Sequence, residues 1–215
     1  MAGDGLGVRS IIFDMDGTLL DSSYALTCSV NFVRESLGLE PLKKEVLEYH
    51  INQPDQDMPM IFYGTKEYLE EHRDMFREHY LQNANLHVKP YDGVFSLLDF
   101  LRSEDIVMSI ATNASDYFAK NMLGFAGMLD YFSYIIGANC VQNSKPKSDM
   151  IDLICEKSNI SKNQTLLIGD SIKDEMAAKN ADIDFLFANW GYGECKSEKR
   201  FDTIAQMVEY LKKVV

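Results

Sequence analysis

The sequence predicts an α/β fold: a parallel sheet covered by helices on both faces, with a helical domain inserted after the first strand. Two observations support this. Short apolar runs alternate with helix-like segments along most of the chain, whereas the stretch 22–89 has helical patterns without convincing strand signals. Alternating strands and helices are typical of a parallel sheet with helices on both faces.

The predicted strands are short runs of apolar, often β-branched residues. The first, 8–13, ends at Asp14, and the others are 106–111, 134–136, 165–168 and 183–187. Helix-like segments separate them at 94–103, 116–123, 148–158 and 172–180. Ligands of such folds bind outside the carboxyl ends of the strands, so polar residues at those ends are candidates for chemistry.

The insert is predicted to be a separate small domain. Its helical patterns lie at 24–37, 43–49 and 66–81. We predict Thr65 as the N-cap of the last helix. The expected buried stripe of that helix is Tyr68, Leu69, His72, Met75, Phe76 and Tyr80. The domains are then 1–21 with 90–215 for the core, and 22–89 for the helical insert.

Composition restricts the class of protein and of partner. Of the 215 residues, 46% are hydrophobic and 25% charged, as in ordinary globular proteins. A net charge of −12 opposes broad contact with nucleic-acid phosphates or anionic membranes. No apolar run of about 20 residues is present to span a bilayer.

The four cysteines have no paired spacing, so a reducing cytoplasm is the expected location. Residues 1–7 are glycine-rich and are predicted to be a flexible lead-in.

Asp14 and Asp16 follow the first strand two residues apart. If the strand continued, both side chains would point into one polar pocket. Like charges this close are costly unless a cation or a shared proton relieves them, which suggests a metal site with separate nucleophile and acid. The alternative is a strand end with two capping aspartates.

Asp170 and Asp174 repeat this design after the strand 165–168. Four residues apart, they can approach one another across a first helical turn. The alternative is a helix cap with a favourable first-turn charge. Two strand ends that both present acids resemble an oxygen-rich site for Mg²⁺.

Thr112 and Asn113 end the strand 106–111 and offer a hydroxyl, an amide and backbone N–H groups to an oxyanion. Plain turn residues are the alternative. Lys145 precedes Pro146, which disfavours helical geometry and can hold Lys145 extended. Its alternative is a surface lysine.

Together, the segments 14–22, 112–113, 145–146 and 169–174 resemble the four ordered motifs of the haloacid dehalogenase-like superfamily. The insert resembles the cap of the branch that includes phosphoglycolate phosphatases and β-phosphoglucomutases. The resemblance implies a Rossmann-like core and a mobile four-helix cap. Two residues depart from the usual family pattern: Ser144 stands where a glycine usually precedes the motif lysine, and Lys147 stands where an unremarkable residue is typical. The motif lysine itself, Lys145, is present.

The resemblance also implies the roles of the acidic residues. Asp14 would attack phosphorus to form an aspartyl-phosphate, while Asp16 would protonate the leaving oxygen and later activate water. Mg²⁺ would be bound by Asp14, the Asp16 backbone carbonyl and Asp170, with Asp174 in support.

By the same resemblance, Thr112, the Asn113 backbone and Lys145 would hold the transferring phosphoryl group. The expected specificity loop, 50–64, contains no lysine or arginine, which weakens the case for a substrate with a second strong anion, phosphoglycolate included. His50, Asn52, Gln53 and Tyr63 are the candidates for contact with a neutral leaving group. Packed or solvated residues are the alternative for each.

The sequence therefore predicts a Mg²⁺-dependent phosphatase acting on a small phosphorylated metabolite. A phosphomutase is an alternative, but 50–64 lacks the glycine, serine and basic-residue arrangement of that branch. Asp16 argues against dehalogenases and phosphonatases, which lack this acid. A non-catalytic binding module is a further alternative, opposed by the intact set of motif residues. Nothing in the sequence specifies an oligomeric state.

Overall fold

Six parallel strands form the central sheet of the structure, a computed structural model that describes residues 7–215 apart from the side chain of Asn85. They are β1 (Ser10–Phe13), β4 (Val107–Thr112), β5 (Tyr134–Gly137), β6 (Thr165–Gly169), β7 (Asp184–Ala188) and β8 (Arg200–Phe201). Their spatial order is β5-β4-β1-β6-β7-β8. The predicted α/β class is confirmed. Most of the predicted lead-in, residues 1–6, lies outside the described residues.

The strand register brings several loops to one edge of the sheet. Phe13, the last residue of β1, pairs with Ile110 of β4 and Ile168 of β6. The residues that follow Phe13 and Ile168, and those at the end of β4, therefore emerge side by side. This edge is the carboxyl end of the strands, where ligands bind in such folds.

Helices cover both faces of the sheet, because its central strands are apolar on both sides. They are α5 (Val94–Ser103), α6 (Asp116–Phe125), α7 (Asp149–Ser158), α8 (Ile172–Ala181) and α9 (Ile204–Leu211). Ile11 and Phe13 pack towards α5, α6 and α9, whereas Ile12 packs towards α7 and α8. All three are fully buried, which contributes about 1.5–3 kcal/mol each.

Four helices lie between the paired strands β2 (Leu20–Asp21) and β3 (Lys89–Pro90). They are α1 (Ser23–Ser36), α2 (Lys44–Asn52), α3 (Met58–Tyr63) and α4 (Glu70–His87). The four share a small apolar cluster that contains Val30, Val33, Leu47 and Phe62. The division into core and helical domains at residues 21/22 and 89/90 stays a prediction.

The predicted start of the last inserted helix is wrong. The helix begins at Glu70, not near residue 66, and continues to His87. Thr65 does not cap it, because the Thr65 hydroxyl donates to the Glu67 carbonyl at 2.7 Å. Tyr68 and Leu69 both precede the helix, and Leu69 is 39% exposed, so neither belongs to the buried stripe of α4.

Helix α3 falls inside the stretch that was expected to be a loop. Asp57 caps it by accepting the Met60 N–H at 3.2 Å, Pro59 lies in the first turn, and Gly64 ends it with a positive φ of 68°. These are standard start and stop signals for a helix. Helix α9 and strand β8 were also not predicted. None of the helices in residues 7–215 is both long and apolar enough to cross a membrane.

Candidate active site

The loop after β1 places two carboxylates in one cavity. The Asp14 N–H still donates to the Ile168 carbonyl at 2.8 Å, so the ladder with β6 holds the backbone of Asp14 in place. The Asp16 carboxylate accepts a hydrogen bond from the Ser22 hydroxyl. Both aspartates line the cavity, as their spacing predicted.

Lys145 is buried between two of the acidic residues. Its Nζ lies 2.5 Å from Asp14 Oδ1 and 2.6 Å from Asp174 Oδ1. Burial alone would lower the pKa of Lys145, but the two carboxylates raise it above its ordinary value. The surface-lysine alternative is therefore wrong, whereas Lys147 is exposed.

Asn113 clamps the Lys145 loop to the end of β4. Its amide Nδ2 donates to the Lys145 carbonyl at 2.9 Å, and its Oδ1 accepts the Lys145 N–H at 3.0 Å. Buried Thr112 makes a turn, because its hydroxyl oxygen accepts the Ala114 N–H at 3.1 Å. The Thr112 hydroxyl accepts in this contact, so its hydrogen is not used there. Because Thr112 and Asn113 both line the cavity, that hydrogen can be donated to an oxyanion.

The two carboxylate oxygens of Asp174 make different contacts. Its Oδ2 accepts hydrogen bonds from the N–H (3.1 Å) and hydroxyl (2.6 Å) of Ser171, in a capping box that begins α8. Its Oδ1 binds Lys145. Ser171 is the N-cap of α8, so the alternative of Asp170 as a helix cap is wrong, whereas Asp174 does lie in the first helical turn, in addition to its place in the acidic cluster.

Asp170 is enclosed by backbone. Its Oδ2 accepts the N–H groups of Tyr192 (3.2 Å) and Gly193 (3.1 Å). Gly17, at φ 85°, and Gly191 approach so closely that a Cβ on either would overlap the Asp170 carboxylate. Sequence reasoning missed the loop 191–193, although a glycine-rich segment shortly after the strand 183–187 was a usable signal.

Three of these carboxylates form a group suited to a metal ion. Asp14, Asp170 and Asp174 each offer an oxygen, and the three oxygens lie within 4.8 Å of one another. Burial raises the pKa of Asp14 to about 7, against the effect of Lys145, and raises that of Asp170 well above its ordinary value. One ammonium does not balance three buried carboxylates, and an all-oxygen donor set fits a hard divalent cation.

The Asp16 carboxylate is not part of this group. Burial raises its pKa, while the Ser22 hydrogen bond acts against that rise. The predicted ligand role of the Asp16 backbone carbonyl stays a prediction. A raised pKa suits a carboxyl group to the role of general acid, because the group holds its proton to a higher pH than an ordinary aspartate does.

A cavity of about 690 Å³ extends from these residues to the inserted helices. Asn52 and Tyr63 line it, whereas His50 and Gln53 are not among its lining residues. His50 Nδ1 lies 2.8 Å from Gln56 Oε1 instead.

Three cationic residues outside 50–64 also line the cavity, and sequence reasoning did not identify them. Arg73 and Arg77 come from α4, and Lys173 comes from α8. Lys173 Nζ donates to the Ile51 carbonyl at 2.6 Å, which ties α8 to α2.

Comparison with known proteins gives consistent matches. Residues 11–188 match a family model described as haloacid dehalogenase-like hydrolase. The phosphoglycolate phosphatase of Aquifex aeolicus is 28% identical over 200 residues, 89% of each chain. That of Vibrio parahaemolyticus is 28% identical over 219 residues, 97% of this chain and 96% of the relative.

Solved structures share the fold. A haloacid dehalogenase-like family hydrolase from Streptococcus pneumoniae has a TM-score of 0.80 at 21% identity and covers 94% of this chain and 98% of its own. CbbY from Rhodobacter sphaeroides, in complex with phosphate, has a TM-score of 0.81 at 16% identity, with coverage of 93% and 96%.

Proposed function

The chain belongs to the haloacid dehalogenase-like hydrolases, and we propose that this phosphoric monoester hydrolase cleaves a small phosphorylated metabolite through an aspartyl-phosphate on Asp14, with Mg²⁺ as cofactor. We further propose that 1–21 and 90–215 form its catalytic core and 22–89 its cap. The named relatives are phosphoglycolate phosphatases, which supports a small phosphate ester as the general class of substrate.

The buried cluster around Lys145 is the observation that carries this proposal. One ammonium contacts Asp14 and Asp174, and the oxygens of Asp14, Asp170 and Asp174 lie within 4.8 Å of one another at the carboxyl end of the sheet. A structural role alone does not account for it, because buried charges are costly and apolar residues of similar volume stabilise a fold at least as well.

The first chemical step is assigned to Asp14 and Asp16. An Asp14 carboxylate oxygen attacks phosphorus and forms a new P–O bond, while the bond to the leaving oxygen breaks. Asp16 gives its proton to that oxygen, so the product leaves as a neutral alcohol. Burial raises the pKa of Asp16, which is the direction that favours a proton donor.

The second step regenerates Asp14. A water molecule attacks the phosphorus of the aspartyl-phosphate, and the carboxylate of Asp16 accepts a proton from that water. The P–O bond to Asp14 breaks, which releases inorganic phosphate and restores the Asp14 carboxylate. Asp16 thereby recovers the proton that it gave to the alcohol.

The remaining motif residues would hold the phosphoryl group while its charge is redistributed. The Thr112 hydroxyl, the Asn113 backbone and the Lys145 ammonium supply the donors. Asp14, the Asp16 carbonyl and Asp170 would hold Mg²⁺, with Asp174 in support. When bound, Mg²⁺ neutralises the negative charge shared by these carboxylates and the phosphoryl oxygens.

Hydrolysis of p-nitrophenyl phosphate tests the proposal. We expect release of inorganic phosphate with Mg²⁺ and none after chelation with EDTA. Asp14→Asn should abolish release, whereas Asp92→Asn, an exposed aspartate, serves as the control and should behave as wild type. Rapid quenching and intact mass measurement should detect phosphorylated wild-type protein. Turnover by Asp14→Asn above a few per cent of wild type would exclude Asp14 as the nucleophile.

A further inference from the structure

Aromatic rings form part of the cavity beyond the phosphoryl site. Phe76 and Tyr80 of α4 stack with ring centroids 5.4 Å apart, and Phe118 of α6 meets both rings edge-on, at 6.3 and 5.6 Å. These three residues are called the α4–α6 wall. A second group, Tyr63 and Tyr68, has centroids 6.0 Å apart at 68°. All five line the same cavity as Asp14 and Lys145.

The cations of the cavity are poorly placed for a second anion on a small substrate. Lys145 is held by Asp14 and Asp174, and the Lys173 Nζ donates to a backbone carbonyl. Arg77 pairs with Asp74 at 2.8 Å and is about half exposed.

Arg73 is exposed and lies 5.6 Å from the centroid of the Tyr68 ring. Among the described lining residues, no lysine or arginine is therefore both deeply buried and free to bind a carboxylate, and buried His72 is charged only when protonated. Recognition of a small anionic leaving group would require such a cation.

The size of the cavity also favours a larger group. A volume of about 690 Å³ lies within the range of about 300–1,000 Å³ typical of sites for drug-sized ligands. A two-carbon leaving group would fill only a small part of this volume, so water would occupy the rest and contact the aromatic side chains. Burial of an apolar group there is favourable in proportion to the area removed from water.

We propose that the alcohol released by this enzyme carries a planar aromatic ring, which packs against the α4–α6 wall while its phosphate lies at Asp14. The inference rests on the proposed phosphatase function and specifies its substrate class. Aromatic pairs gain about 0.5–1.5 kcal/mol beyond their buried area when they meet edge-on or offset. The wall therefore distinguishes an aromatic ring from an aliphatic group of similar bulk.

Four esters test this class: benzyl phosphate, cyclohexylmethyl phosphate, ethyl phosphate and phosphoglycolate. All four release a primary alcohol, so differences in kcat/KM report mainly on recognition of the group attached. We expect kcat/KM for benzyl phosphate to exceed that for ethyl phosphate and phosphoglycolate at least about tenfold, the scale of one methylene in an apolar pocket. It should exceed that for cyclohexylmethyl phosphate about twofold to tenfold.

The outcomes separate the two proposals. Turnover of the four esters with no preference for benzyl phosphate, or a preference for phosphoglycolate, would overturn the aromatic class and leave the phosphatase function standing. Equal rates for benzyl and cyclohexylmethyl phosphate would also overturn it. Phosphate release from p-nitrophenyl phosphate but from none of the four esters would overturn only the aromatic class. No release from the four esters or from p-nitrophenyl phosphate in the presence of Mg²⁺ would overturn the phosphatase function and this inference with it.

Variants locate the recognition. Phe118→Leu should lower the ratio of kcat/KM for benzyl phosphate over ethyl phosphate at least about threefold, a loss within the range for one aromatic pair. Tyr117→Leu is the matched control, because Tyr117 is adjacent, 55% exposed and absent from the described cavity lining, and it should keep the wild-type ratio. Phe76→Leu, in the same wall, provides a second test if Phe118→Leu does not fold. A wild-type ratio in whichever of these two variants folds would contradict the proposal.

Discussion

Replacement of Lys145 by methionine should destabilise the protein in a way that Mg²⁺ partly reverses. Methionine keeps much of the side-chain length but removes the ammonium that contacts Asp14 and Asp174. The buried carboxylates then lack their only close cation among the described residues. A divalent cation at the same carboxylates can replace part of the lost positive charge.

The size of the effect follows from the burial of the ion pairs. The Lys145 side chain is 2% exposed and that of Asp14 is 10% exposed, so the pairs are shielded from water. Removal of one partner from a buried pair costs about 3–5 kcal/mol. For a chain of this length that corresponds to a fall in Tm of roughly 6–20 °C. Mg²⁺ at about 100 times its Kd should return about 2.7 kcal/mol.

The destabilisation should also depend on pH. Without Lys145 the pKa of Asp14 in the folded state rises further above its unfolded value, so the folded variant binds more protons than folded wild type at the same pH. Its free energy of unfolding relative to wild type should therefore fall as the pH rises. The fall starts near pH 7, because the pKa of Asp14 in folded wild type is already about 7, and well below that pH Asp14 carries its proton in both folded proteins.

Urea unfolding of wild type, Lys145→Met and Lys147→Met, each with EDTA and with Mg²⁺, measures these quantities. Lys147 is exposed two residues away and is the matched control. Phosphatase activity of Lys145→Met should fall about 10²–10³-fold, the usual cost of one lost donor to the transition state. Equal unfolding free energies for the two variants in EDTA would refute the electrostatic account of the cluster.

Three further outcomes are expected. Asp14→Asn should fold as wild type yet release no phosphate, because an amide cannot attack phosphorus; this is checked by circular dichroism and phosphate assay. Asn113→Ala should lower the free energy of unfolding by about 1–3 kcal/mol and reduce kcat, because it removes both hydrogen bonds that hold the Lys145 backbone. Urea unfolding and steady-state kinetics measure this, and wild-type values of both quantities would contradict the role of these two bonds. Gly17→Ala should weaken Mg²⁺ binding in calorimetry, because a Cβ at that positive φ would displace the Asp170 carboxylate; an unchanged Kd would contradict the role of this close approach.

The strands and the acidic loops that follow them were predictable because their signals are local. A buried parallel strand is apolar on both faces, so runs such as 8–13 and 165–168 stand out from the surrounding sequence. Asp14 and Asp170 directly follow β1 and β6, and the parallel register then brings them together. The prediction required only that the strands be neighbours with the same direction.

The side of the cavity that faces the inserted helices was harder to predict from the sequence, because it depends on contacts between distant segments. Phe118 on α6 meets Phe76 on α4, and no periodicity in either helix reveals that pairing. The expected specificity loop also drew attention to 50–64, whereas Arg73 and Arg77 line the cavity from the following helix. In α4, the misplaced start shifted the expected buried stripe to include exposed Leu69.

The chain crosses between the proposed domains twice, and the two crossings form the short ladder of β2 and β3, where Leu20 pairs with Pro90 and Asp21 with Lys89. Strands that bond to each other cannot swivel independently, so movement of the inserted helices bends a two-stranded ribbon. Ser22, which donates to the Asp16 carboxylate, is the next residue after that ribbon. Bending of the ribbon would therefore move the Ser22 hydroxyl relative to the Asp16 carboxylate. Exposure of the cavity to solvent and the proton affinity of Asp16 would then change together.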